Sequence, residues 1–331
     1  MHLSLLKILM SNMLNRRILR IKAFKVLYGN VLAGGRSLAE AQSQLDISCE
    51  ATRDLYIYML GIISPLTKLA RERIDVAKAK FNPTEEERNP NMKFAENELA
   101  KFFEDDIDFQ KIFNKKKFSW EQYDIFLKKI LSSIASKDYY AEYMSSPTRS
   151  LNEDCKLFIK IYEEEFVESE ELEEILEDLC LYWNDDLAYA LTHCCKTLNT
   201  VAKTKRWELP PLYQSDMKKD TDMDSDKLFV SKLLRLAHAR YPEYLEMVNN
   251  ASIGWDKDRL FLSDVVLVTM GLAEASGFPE IPIKVTINEY VEISKFYGTI
   301  KSRSFVNGLL DRLIQTMVQD GRIVKTGKGL L

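Results

Sequence analysis

Apolar residues recur along most of this chain at three- and four-residue intervals, the period of a helix that buries one face. In 281–313, Ile287, Tyr290, Val291, Ser294 and Tyr297 fall at i, i+3, i+4, i+7 and i+10. Pro282 stands where a first helical turn loses nothing by lacking an N–H. Gly298 ends the run, as glycine does beyond a helix. A short basic turn, 299–303, precedes a second stripe made by Phe305, Val306, Leu309, Leu310, Leu313, Ile314 and Met317. The pattern predicts two helices packed across a tight connection.

The first strong helix is expected over 14–32, with Leu19, Ala23, Val26 and Leu27 as its core face. Arg16, Arg17 and Arg20 cluster at the edge of that face, Phe24 and Tyr28 continue the arc, and Lys22 and Lys25 point elsewhere. No acidic residue interrupts 15–25, so its five positive charges lack partners within the helix. Beyond it, 37–80 reads as helical, with Pro65 expected to kink or break the longer segment 50–80. Helices are expected over 95–113, 120–137, 152–166 and 169–203. The polar, acidic stretch 214–225 reads as a loop. Periodicity restarts at Leu228, is expected to stop at Tyr241-Pro242, and returns over 244–249 and 256–275.

Composition narrows the function classes. The 331 residues are 46% apolar and 29% charged, as in a globular protein, and only twelve glycines and nine prolines favour long helices over many short strands. The net charge of −4 means that nucleic-acid binding requires a local basic face. Five cysteines without regular spacing fit reduced thiols and a cytoplasmic setting. The apolar opening 1–12 has no small-residue cleavage site and reads as an extension ahead of a domain starting near Met13. No apolar run approaches the roughly 20 residues a membrane span needs. There is no G-x-G-x-x-G, G-x-x-x-x-G-K-[ST] or G-x-S-x-G, and His193-Cys194-Cys195 with Cys180 lacks the spacing of a zinc site. No catalysis, metal or cofactor is expected.

The wording of 281–313 carries more than periodicity. Pro282, Lys284-Val285, Ile287-Asn288-Glu289, Lys295, Gly298 and Phe305-Val306-Asn307-Gly308-Leu310-Asp311 resemble the closing helices of the transcription antitermination factor NusB family. There the pattern reads P-x-K-V-x-I-N-E-x-(I/V)-E-(I/L)-(A/S)-K-x-(F/Y)-G, a turn, then F-V-N-G-(V/L)-L-D. The family's opening helix, R-R-x-x-R-x-x-A-x-x-x-L-Y, is met by Arg16, Arg17, Arg20, Ala23, Leu27 and Tyr28. Where the family's preceding helix ends near Y-E-L, this chain has Ala273-Glu274-Ala275, a weaker match.

The resemblance implies an all-α, NusB-like bundle of two subdomains, here with an extra helical region. The expected divisions are an extension over 1–12, a first subdomain over 13–80, an insertion over 81–221 and a closing subdomain over 222–331. It further implies binding of boxA-type single-stranded RNA together with NusE, the small-subunit ribosomal protein also called protein S-ten, in an RNA polymerase antitermination complex. Carried over, the RNA surface comprises Arg16, Arg17, Arg20, Tyr28, Lys301 and Arg303, and the partner surface comprises Asp258 and Asp264. Lys301 departs from the acidic residue common in the family, and a cation there strengthens salt-sensitive RNA binding. The alternative is a helical adaptor that keeps the fold and binds proteins without RNA. A methyltransferase fusion is excluded, because 94–209 has neither strand alternation nor glycine-rich turns.

Overall fold

The computed structural model describes residues 13–214, 225–252 and 261–330. The extension 1–12 and most of the acidic 214–225 stretch lie outside them. Among the described residues every regular element is helical, as expected. They are α1 Arg16–Leu32, α2 Leu38–Leu60, α3 Ile63–Lys78, α4 Glu85–Arg88, α5 Glu98–Asp105, α6 Ile107–Lys116, α7 Asp124–Ala135, α8 Asp138–Ser145, α9 Leu151–Ile161, α10 Glu170–Leu179, α11 Leu187–Thr204, α12 Ser225–Ala251, α13 Leu262–Gly277, α14 Ile283–Tyr297 and α15 Ser302–Gln319. No helix among the described residues is long and apolar enough to cross a membrane.

The chain divides into two compact units, one formed by 50–210 and the other by 13–49 with 211–330. This differs from the expected divisions at 80 and 221. Residues 50–80 belong with the inserted helices, because α3 packs on α5 and α7. Gly61, between α2 and α3, makes room for the Phe113 ring of α6: a Cβ there would sit 2.2 Å from it. Pro65, expected to break the helix, instead falls in the first turn of α3, where its missing N–H has no intrahelical acceptor.

Three other expected boundaries moved for local reasons. The run 95–113 divides at Asp106, whose carboxylate caps α6 by accepting from the Phe109 N–H at 2.8 Å. The run 169–203 divides between α10 and α11, where Asp185 adopts a left-handed φ of 67°. Pro242 does not interrupt α12. An interior proline costs about 3 kcal/mol, but the helix buries Phe229, Leu233 and Leu234 before it and Tyr244 and Val248 after it, so packing on both sides carries the helix through.

The second unit, 13–49 with 211–330, is built around α13, buried continuously from Asp264 to Ala275 and packed on α1, α12, α14 and α15. An apolar helix buried all round is a core helix. Close approach to α15 needs Gly271, where a Cβ would lie 2.6 Å from Leu310 Cδ2. The α14–α15 turn is equally tight: a Cβ on Gly298 would sit 2.4 Å from Ser302 Cβ and 2.7 Å from the Ser294 carbonyl. By contrast, Gly308, inside α15, has nothing within 4 Å. Gly298→Ala is therefore expected to destabilise by about 1–3 kcal/mol, whereas Gly308→Ala gains about 0.5–1 kcal/mol of helix propensity. Urea denaturation of the two variants checks both signs.

Candidate nucleic-acid interface

Helix α1 starts at Asn15, whose side chain accepts from the Arg17 and Ile18 N–H groups. The three arginines that follow do not share one surface. Arg20 is buried, its side chain 4% exposed, and forms a two-pronged pair with the fully buried Glu274 of α13 at 2.7 and 2.8 Å. The Thr286 hydroxyl and the Tyr290 phenol of α14 also donate to Glu274, at 2.9 and 3.2 Å, so both carboxylate oxygens are satisfied. Burial alone would lower the Arg20 pKa, but the hydrogen bonds and charge of Glu274 outweigh it and hold the guanidinium more firmly protonated than usual. Arg20 is thus a core strut and no part of a contact surface, which corrects its expected place among the RNA contacts.

Arg17 is also engaged. It donates to both oxygens of Glu289 on α14, at 2.7 and 3.0 Å, while keeping an exposed edge. Arg16 is half exposed, pairs with Asp226 of α12 at 3.2 Å and lies over the Phe229 ring. The expectation that the helix's charges lack partners holds only within α1, because carboxylates from α12, α13 and α14 meet its three arginines.

The contacts between α1 and α14 fix their direction. Arg17 meets Glu289, and the Phe24 ring meets Tyr297 in a tilted contact at 5.2 Å between ring centroids. Both steps run forward, so the helices are parallel, and the second contact lies about 10 Å further along. Lys25, expected to point elsewhere, sits 5.8 Å above the Tyr297 ring. Tyr28 is half-buried against Phe24. The turn carrying Lys301 and Arg303 therefore leaves α14 at the Lys25 and Tyr28 end of α1, two turns from Arg16 and Arg17. Both late cations are exposed, and no acidic residue among the described residues pairs with them.

Asp264 holds that turn. It is 2% exposed, and its Oδ2 accepts from the Ser302 hydroxyl at 2.8 Å, while the same hydroxyl oxygen accepts from the Thr299 N–H at 2.8 Å. Burial pushes the Asp264 carboxyl above its ordinary value despite the Ser302 bond. So enclosed, Asp264 presents no face to a partner, which corrects its expected role. Asp258 lies outside the described residues.

Among the described residues no His, Cys, Asp and Glu group could hold a metal ion. Burial pushes the Cys155 and Cys195 thiols up to about 12, leaving both protonated at neutral pH.

Glu274 was the residue sequence reasoning passed over. A lone carboxylate in an apolar helix must find a cation once buried, and that was the available signal.

Two outcomes follow from this network. Glu274→Ala leaves the buried Arg20 charge with only its longer, 3.5 Å contact to Glu289 and is expected to cost about 3–5 kcal/mol. Arg20→Met combined with Glu274→Leu is expected to recover part of it, read by denaturant unfolding. The Glu289 carboxyl lies below its ordinary value; burial would raise it, but the hydrogen bonds from Arg17 and the charges of Arg20 and Arg17 prevail. Its contribution is complete above the ordinary glutamate value of about 4.3 and is lost as pH falls through the lowered one. Glu289→Gln is expected to flatten that acid limb in a plot of Tm against pH.

A model of the NusB family matches residues 195–315, which takes in the end of α11, α12, α13, α14 and most of α15 but not α1. The transcription antitermination protein NusB of Salinibacter ruber is 34% identical over 107 residues, covering 32% of this chain and 67% of that protein. Its counterpart in Chloroherpeton thalassium is 39% identical over 77 residues, 23% of this chain and 36% of the relative. That of Syntrophotalea carbinolica is 40% identical over 70 residues, 21% and 45% respectively. The chain thus spans less than half the length of the last two. No solved structure matches the chain.

Proposed function

Because this chain belongs to the NusB family, we propose that it is a transcription antitermination factor that binds boxA-type single-stranded RNA together with NusE. It acts within an RNA polymerase complex in the cytoplasm, by binding and not by making or breaking bonds. The observation that carries this reading is the basic corner where α1 and α14 end. Among the described residues Lys301 and Arg303 are exposed there without acidic partners, shortly after Tyr297, over whose ring Lys25 sits, on a chain whose net charge is negative. Cations so placed grip phosphates, and sequence discrimination falls to aromatic contacts and to NusE. Arg16 and the open edge of Arg17 extend the surface toward the start of α1, and Arg20 supports it from within.

One observation favours the alternative, a helical adaptor without RNA: all three opening arginines are engaged by carboxylates of the same chain. Titration with boxA-type RNA at several salt concentrations, with and without NusE, separates the two readings. Lys301→Ala with Arg303→Ala is expected to weaken binding and to reduce the salt slope by about 0.7 for each phosphate that is no longer neutralised. NusE binding with no RNA affinity at any salt would leave the adaptor.

A further inference from the structure

The buried stripe of α14 is made by Thr286, Ile287, Tyr290, Val291, Ile293 and Ser294. Phe296 lies off it, 65% exposed, and Ile300 in the following turn is fully exposed. Phe296 comes seven residues after Glu289, close to two full turns, so the two share a flank of α14. That flank is the one Arg17 of α1 reaches. On α1, Arg17, Ile21, Lys25 and Tyr28 fall at i, i+4, i+8 and i+11, each half-buried, and so line the facing edge. Tyr297, next to Phe296, is taken up by Phe24 and Lys25. The exposed ring therefore stands where the seam between α1 and α14 opens toward Lys301 and Arg303.

A single exposed phenylalanine is ordinary on a protein surface. The neighbours of this one are what matter. Cations without acidic partners attract a polyanion, and they place its backbone within reach of a ring whose face is open to solvent. An apolar peptide would find two positive charges beside its anchor with nothing to pair them. Tyr28 already rests on Phe24, at 5.9 Å, and offers less free face.

We infer that Phe296 is the stacking platform for one unpaired base of a bound single-stranded RNA, with Lys301 and Arg303 holding the adjoining phosphates. This rests on the RNA-binding reading above. Stacking is indifferent to salt, whereas phosphate contacts are not, and the test uses that difference.

The full-length protein is titrated with a boxA-type RNA oligonucleotide across a range of salt. Phe296→Ala is expected to weaken binding about tenfold or more with an unchanged salt slope and an unchanged thermal unfolding curve. Phe296→Tyr keeps the ring and is expected to restore affinity; Phe296→Leu keeps apolar bulk without the π face and is not. In a series of oligonucleotides each carrying one abasic position, one position should weaken the unaltered protein but leave Phe296→Ala unaffected. Equal binding by Phe296→Ala, or full rescue by Phe296→Leu, overturns the stacking role alone. Failure of the unaltered protein to bind any of these RNAs overturns the RNA reading and this inference with it.

Discussion

The pairing of Arg20 with Glu274 is the constraint on which the 13–49 and 211–330 unit depends. Removing two charges from water costs several kcal/mol each, and only close geometry with every lone pair used offsets it. Here the carboxylate receives two bonds from the guanidinium and one each from Thr286 and Tyr290, so α1, α13 and α14 meet at one side chain. Such a site tolerates little rotation of α1. Arg20 fixed inward leaves Arg17, Lys25 and Tyr28 along the edge that faces α14.

A second buried acid of α13 works one step closer to the surface. Asp264 grips Ser302, Ser302 receives the Thr299 N–H, and Gly298 clears the space the turn needs. The pair of α13 carboxylates, ten residues apart, thus position the two parts of the basic corner: Glu274 sets α1, and Asp264 sets the 299–303 turn. The charges that hold the unit together and the charges left exposed are different sets, although the sequence pattern puts Arg20 and Lys301 in one.

The closing helices were legible because their stripes, proline start and glycine stop agree with one another; α14 and α15 begin and end close to where those signals stand. Local punctuation misled where packing overruled it. Pro242 is carried through by apolar contacts on either side, and Pro65 lands in a first turn because α2 already ends at Leu60 and α3 starts at Ile63. The arginines show a different limit. A helical wheel reports neighbours within one helix, and the partner of Arg20 is 254 residues away. Glu289 stood inside the recognised motif, yet its role became clear only once α1 lay parallel to α14.

The start of α15 breaks a rule that several helices of this chain obey. First turns of α4, α5, α9 and α10 carry acidic residues, which suit the positive end of a helix macrodipole. Both α1 and α15 begin with cations and no acid. In α1 the misplaced charge is neutralised by Asp226 and Glu289. At α15 the Asp264 carboxyl reaches the first turn through Ser302, but the exposed Lys301 and Arg303 add to the positive pole with no acidic partner of their own among the described residues. Each such charge disfavours the helix by about 0.3–1 kcal/mol, so the lone molecule holds this end under electrostatic tension, and an anion arriving there relieves it.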